Sequence, residues 1–347
     1  MMSILIPLLK ILVIFIGFVL AFGAVLTWVE RKMAAIIQDR VGPNRAPILG
    51  IKLFGLVHLV ADMIKMIFKE DFVPAGANKV MFMIAPMIAL IPPLLCFAVI
   101  PFGPPIGEYQ PFLISSAGIG FLFILAVGSL SVYGHTLAGW SSNNKWSLLG
   151  GMRTAAQMFA YEIGLTLSVL GVLMVYGTLE LQELIISQGE LIWGWLPRWG
   201  IVTQPLGFVL FMAAAIAETK RAPFDVPEAD SEIVAGYSTE YSALRFGMFF
   251  LSEFMGIVLI GAIGAVLFLG GWQIPWLSGS AWWIVVLQVM GFVAKIVVLV
   301  YIQMLVRWTV PRMRYDQVMN FGWKLLLPIG TANLVITMIV IAMIDLS

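Results

Sequence analysis

The sequence predicts an all-α integral membrane protein of about eight transmembrane helices, with an interfacial amphipathic helix and structured loops on the cytoplasmic side. Three observations predict it. The chain is 61% hydrophobic and 11% charged, with a mean hydropathy of +0.99, which is more apolar surface than a soluble fold of 347 residues can bury. The apolar residues fall in runs of about 20, the length a helix needs to cross roughly 30 Å of hydrocarbon, and not in the short alternating segments of a barrel. The basic residues are one-sided: of 20 Lys and Arg, all but Lys10, Arg198 and Lys295 fall on the odd-numbered connections and their flanks. By the positive-inside rule that side is cytoplasmic, or matrix in an organelle, and both termini face the other.

The spans are expected near 4–27, 80–101, 112–136, 155–176, 203–218, 245–269, 281–306 and 325–344, forming a single membrane domain over 1–347. The first run has no small-residue cleavage site and reads as a retained span. The connection after it is long. It opens with Glu30 and Arg31, turns at Arg40 to Arg45, and enters Ile48 to Phe68, where His58, Asp62, Lys65 and Lys69 recur at helical spacing opposite an apolar arc. That segment predicts an amphipathic helix lying in the interface or against a partner. Pro86, Pro92 and Pro93 predict a kinked second span whose freed carbonyls need other donors. The third span carries serines and His135, and the short fifth span, with Pro205, leads straight to Glu218. Trp193, Trp195 and Trp199 on the outer side read as interfacial anchors.

The segment from Glu218 to Tyr241 is the most polar in the chain, with Glu218, Asp225, Glu228, Asp230, Glu232 and Glu240 against Lys220 and Arg221. Pro223 and Pro227 bias it away from helix, and Asp225 with Glu228 reads as a capping box opening a short helix that stops near Gly236. Above it, Glu162, Glu253 and Lys295 fall inside spans, where a central charge costs at least about 2.5 kcal/mol and must face protein or water. Counted from the inner ends, Glu162 and Glu253 lie at similar depth, about 10–12 Å at 1.5 Å per residue. They are expected to form a polar layer with Glu218, which Lys295 extends, suited to proton relay. The competing reading is a structural Glu–Lys pair.

What the sequence lacks also bounds it. There is no phosphate-cradling glycine motif, no Ser/His/Asp set and no basic patch for nucleic acid. Cys96 is the single cysteine and His58 and His135 the only histidines. No metal site, iron–sulfur ligation or disulfide is expected from them. Any redox centre belongs to another chain.

Three stretches, WVERKMAAIIQDRVGPNR at 28–45, FGLVHLVADMIKMIFKED at 54–71 and AETKRAPFDVPEADSEIVAGYSTEYS at 217–242, resemble the H subunit (mitochondrial subunit 1) of proton-pumping NADH:quinone oxidoreductase, respiratory complex I. The likeness covers nearly the whole chain. It implies a membrane subunit that forms the quinone chamber at the junction with the hydrophilic arm and couples quinone reduction to proton translocation. It implies a quinone, expected to be ubiquinone, as substrate, with iron–sulfur clusters and FMN held on partner subunits. The implied partners are the hydrophilic quinone-site and iron–sulfur subunits, the small membrane subunits, the antiporter-like subunits and membrane lipid, with no nucleic acid. The implied location is a bacterial inner membrane or, alternatively, the mitochondrial inner membrane. Carried over by position, the quinone chamber takes Glu30, Arg31, Arg40, Ala46, Phe54, Arg245, Phe246 and Met248. The relay takes Glu162, Glu218, Asp225, Glu228, Glu232, Glu240 and Glu253. A stand-alone secondary transporter or proton channel is the alternative from another class, though no inverted repeat is evident. A non-catalytic assembly scaffold is a third, and it leaves the buried glutamates unexplained.

Overall fold

The computed structural model describes residues 10–47, 52–107, 110–192, 194–228, 230–277, 279 and 281–345. Residues 4–9 of the first span, 48–51 of the amphipathic segment and Trp193 lie outside them. Among the described residues, seven helices are long and apolar enough to cross a membrane: α1 Leu12–Ile37, α3 Lys79–Val99, α4 Gly120–Ser141, α5 Lys145–Tyr176, α7 Ala243–Phe268, α8 Trp282–Thr309 and α9 Tyr315–Ile344. The eighth expected span is the shorter apolar helix α6, Pro205–Glu218. Between α1 and α3 lies the amphipathic helix α2, Val57–Phe68. On the outer side Leu191–Ile192 and Leu196–Pro197 form a small antiparallel pair.

Several helices run past the apolar runs that announce them. α5 begins at Lys145 where 155 is expected, because a helix stops at a cap and not at the first charge. The Asn144 side chain supplies that cap by accepting from the Trp146 amide at 3.0 Å. At 32 residues α5 is about 48 Å long, longer than the roughly 30 Å of hydrocarbon a span crosses. α9 likewise starts at Tyr315, with the Gln317 side chain accepting from the Arg314 amide at 3.0 Å.

The centre of the bundle is α7, most of whose residues are buried, packed by α1, α3, α6 and α8. The helix α3, with Pro86, Pro92 and Pro93 inside it, is bound to α7 and to the loop before it through the carbonyls its prolines release. Pro86 frees the Phe82 carbonyl, which accepts from the Tyr241 hydroxyl at 3.2 Å. Pro93 frees that of Ala89, which accepts from Ser252 at 2.7 Å. α4 crosses α3 so closely that a Cβ on Gly134 would lie 2.4 Å from the Ala89 nitrogen. Glycine there lets the two backbones touch.

The loop from Thr219 to Ser242 is folded back into the inner end of this bundle. Gln157 of α5 donates to the carbonyls of Ala217 and Phe224, at 2.9 and 2.8 Å. The Pro223 carbonyl takes the Met313 amide at 3.0 Å. At Gly236 φ is +56°, and a side chain there would meet the Pro227 carbonyl, so glycine is required by both backbone and space. The expected capping box does not form: among the described residues of the loop the helical turns are Asp230–Ile233 and Gly236–Ser238. The Asp225 and Glu228 carboxylates are engaged elsewhere, with Arg312 and Tyr237.

Candidate functional site

Three of the expected relay residues come together. Glu162 of α5, Glu218 at the end of α6 and Glu253 of α7 line one cavity of about 110 Å³, shared with Ser131 and His135 of α4, Ser252, Thr219 and Lys220. The remainder of its wall is apolar, including Pro93, Met158, Leu259 and Ile263. Its volume is well above the roughly 10–15 Å³ a water molecule needs, and its wall supplies the polar partners such waters require. One oxygen of Glu218, Oε2, is buried with no hydrogen-bond partner among the described residues.

Beneath the cavity the loop contributes a network that its sequence conceals. Lys220 and Arg221 stand in the most polar stretch of the chain, yet they are 5% and 6% exposed. The Arg221 guanidinium pairs with Glu30 of α1 at 3.0 Å and with Glu253 of α7 at 3.0 Å, and lies 4.5 Å from the Phe254 ring centroid. Arg307 of α8 completes the pairing of Glu30. Glu30, expected in the quinone chamber, lies in this buried ion network, where two arginines converge on it from other elements. Tyr237, 0% exposed, donates to Glu228 at 2.6 Å and sits 3.1 Å from a Glu253 oxygen. Burial first, and then the neighbouring Glu253, push Glu228 up to about 8. Lys220 contacts His135, Nζ to Nε2 at 2.5 Å.

Other expected relay residues stand apart from the cavity. Asp225 pairs with Arg312 at 3.2 Å, Glu232 with Arg153 at 2.6 Å, and Glu240 accepts from Asn144 at 2.6 Å. Lys295 does not extend the carboxylate layer. Its ammonium donates to the carbonyls of Leu269, Gly271 and Gln273 at 2.7, 2.8 and 2.6 Å, where the chain leaves the outer end of α7. Three convergent carbonyls satisfy all three N–H groups of an ammonium.

Of the expected chamber residues, Arg31 and Phe246 line a second pocket of about 290 Å³ between α1, α2 and α7, with Asp62, Lys65, Lys69 and Tyr241. Arg31 pairs with Asp62 across it at 2.6 Å. Phe54, 85% exposed, is fixed near α1 by the Trp28 indole, which donates to its carbonyl at 3.0 Å. Arg245 turns away to Asp71 at 3.1 Å. Arg40 bonds Gln38 at 2.7 Å in the exposed turn after α1. Ala46, in the loop beyond that turn, and Met248 are partly buried and line neither pocket.

Comparison with known proteins points one way. The NADH dehydrogenase family model matches residues 9–338. Geobacter metallireducens has a protein named as an H subunit of NADH-quinone oxidoreductase that is 44% identical over 97% of this chain and 96% of its own length. The NADH-quinone oxidoreductase H subunit of Dehalococcoides mccartyi is 46% identical over 96% and 86%. That of Syntrophotalea carbinolica is 42% identical over 93% and 92%.

Proposed function

The chain belongs to the family of NADH-quinone oxidoreductase H subunits, the multi-pass membrane subunits of an oxidoreductase complex, and we propose that it walls the quinone chamber and passes the effect of quinone reduction into a buried row of carboxylates. The observation that carries this is the cavity that collects Glu162, Glu218 and Glu253 directly above a loop whose Arg221 is ion-paired to Glu253. Electrons reach the quinone from iron–sulfur clusters and FMN on partner subunits. The complex sits in a bacterial inner membrane with antiporter-like and small membrane subunits alongside.

The quinone enters at the pocket of Arg31 and Phe246, with Phe54 beside α1. Arg40, Ala46, Arg245 and Met248 are proposed for the chamber by family likeness alone. Reduction consumes protons and leaves negative charge, which acts on Arg221 and Lys220 before it acts on anything else, since these are the buried cations between chamber and cavity. Glu30 on α1 and Glu253 on α7 share Arg221, so a shift of that guanidinium changes the charge balance on both helices. Glu162, Glu218 and Glu253 then exchange protons through water in the cavity. Glu228 belongs to the same network, held near neutrality in its proton affinity by burial.

Replacing Glu162 or Glu218 by Gln is expected to lower proton-coupled quinone reduction by at least about tenfold, while NADH oxidation by an artificial acceptor stays at the wild-type rate. Normal quinone turnover and proton stoichiometry in both variants would falsify the relay.

A further inference from the structure

Two buried titratable side chains on the cavity wall have no part in the carboxylate row. Lys220 follows the end of α6 and His135 sits within α4; they are 5% and 1% exposed. The tautomer of His135 follows from its partners. Its Nδ1 lies 2.8 Å from the Ser131 carbonyl, which can only accept, so Nδ1 carries the hydrogen and Nε2 presents a bare lone pair to Lys220. The rings of Tyr237, edge-on at 4.9 Å, and Phe249, at 5.6 Å, hold the imidazole in that orientation.

The identity of the partner is the informative part. A buried lysine needing only a counter-charge would sit on a carboxylate, and such an ion pair would fix its proton in place. Lys220 instead makes its short contact, 2.5 Å, to a neutral base, although Glu218 and Glu253 line the same cavity. A neutral acceptor bonds Nζ both as an ammonium and as an amine, because both forms have an N–H to donate, and it adds no counter-charge that would hold the proton in place. Burial works in the same direction, lowering the hold of Lys220 on its proton despite the pull of Glu253, Glu228 and Glu218. In the wall of the same cavity, Glu218 Oε2 is buried and has no partner among the described residues.

We propose that Lys220 is a proton-exchanging group of this cavity, with His135 the positioning residue that lets it lose and regain its proton. This rests on the reading of the cavity as a proton route. In the step, an N–H bond at Nζ breaks and its electron pair stays on nitrogen. An O–H bond forms at Glu218, directly or through intervening water, so ammonium plus carboxylate becomes amine plus carboxylic acid. No electron changes hands. The reverse step reloads the lysine.

The test compares variants that keep the contact but change what the proton can do, in the assembled complex checked by co-purification. Lys220→Arg keeps the charge and the donor but cannot deprotonate, and is expected to lower coupled quinone reduction by at least about tenfold. His135→Glu supplies an anionic partner that locks the ammonium, and is expected to do the same. His135→Gln keeps a neutral acceptor and should stay within about threefold of wild type. Wild-type turnover and proton stoichiometry in Lys220→Arg overturn the proposal; should that variant not assemble, wild-type behaviour of His135→Glu overturns it alone. Glu162→Gln measured alongside separates this step from the wider reading. Loss there with normal Lys220→Arg removes the lysine step and leaves the carboxylate row. Normal turnover there with loss in Lys220→Arg supports the lysine step and counts against the row.

Discussion

The inner and outer ends of this bundle both bury polar groups, but they satisfy them in opposite ways. At the outer end the partners are backbone groups and neutral side chains. Lys295 holds three carbonyls and stands 4.6 Å from the Trp199 ring centroid. Gln188 bridges the Val266 carbonyl and the amides of Gly200 and Gly270, and Gln204 links Thr337 to Asn333. At the inner end the partners are other titratable side chains: Arg221 with Glu30 and Glu253, Tyr237 with Glu228, Lys220 with His135. Backbone, amide and hydroxyl partners do not change charge, so the outer end is a fixed clamp. Titratable partners do, so the inner end responds to a proton or a nearby anion. An ionisable residue inside a span is therefore a functional candidate only when its partners also titrate and a cavity reaches it.

The largest expected effect is at the hub of the inner network. Arg221→Met leaves Glu30 and Glu253 buried beside each other with one cation gone, and breaking a buried pair in this way costs about 3–5 kcal/mol. The variant is expected to be lost from the assembled complex, read as the yield of intact complex on a native gel. Full yield would show that the network is not what holds α1, α7 and the loop together. Lys295→Met provides the counterpart at the outer end. It orphans three carbonyls, at about 1–3 kcal/mol for each that finds no water, and is expected to lower the melting temperature of the complex. Whatever assembles should pump with the wild-type ratio of protons to electrons. A changed ratio would break the distinction between the two ends.

A third test uses pH. Glu228 holds its proton in the folded chain up to about 8, whereas an unfolded glutamate loses it near 4.3. Between those values the folded state binds the extra proton, so this group's contribution to stability falls as pH rises from roughly 4.3 to 8, and is constant outside that window. Glu228→Gln removes the dependence while keeping an acceptor for Tyr237. Melting curves from pH 5 to 9 should slope less steeply for the variant; parallel slopes would mean that Glu228 is ionised throughout.

The spans are legible because apolar length is a one-dimensional property, and so are the freed carbonyls of α3: Pro86 and Pro93 predict carbonyls in need of donors, and Tyr241 and Ser252 supply them. Helix ends are less so, since α5 is set by the Asn144 cap and not by hydropathy. At the site, equal depth brings Glu162 and Glu253 together correctly, but depth says nothing about azimuth. Lys295 therefore falls in the expected layer although it faces the outer loop. Lys220 and Arg221 belong to a polar loop, and only the return of that loop into the bundle buries them. The available signal is two adjacent cations wedged between a span end and a proline, together with His135 on a helix that carries no charged residue.

The smallest effect is expected where sequence and structure part company over the loop's acids. Glu232 belongs to the same acidic segment as Glu228, four residues on, yet its ion pair with Arg153 is half-open to solvent, the two side chains being 43% and 26% exposed. A pair so placed contributes at most about 1 kcal/mol, and salt screens it. Glu232→Gln should therefore leave quinone reduction and proton stoichiometry unchanged and shift the melting temperature by no more than a degree or two, an amount that shrinks further as salt is added. Loss of coupling in this variant, comparable with that expected of Glu218→Gln, would mean that the proton route reaches the surface through the acidic loop itself, and that burial is not the property that selects its members.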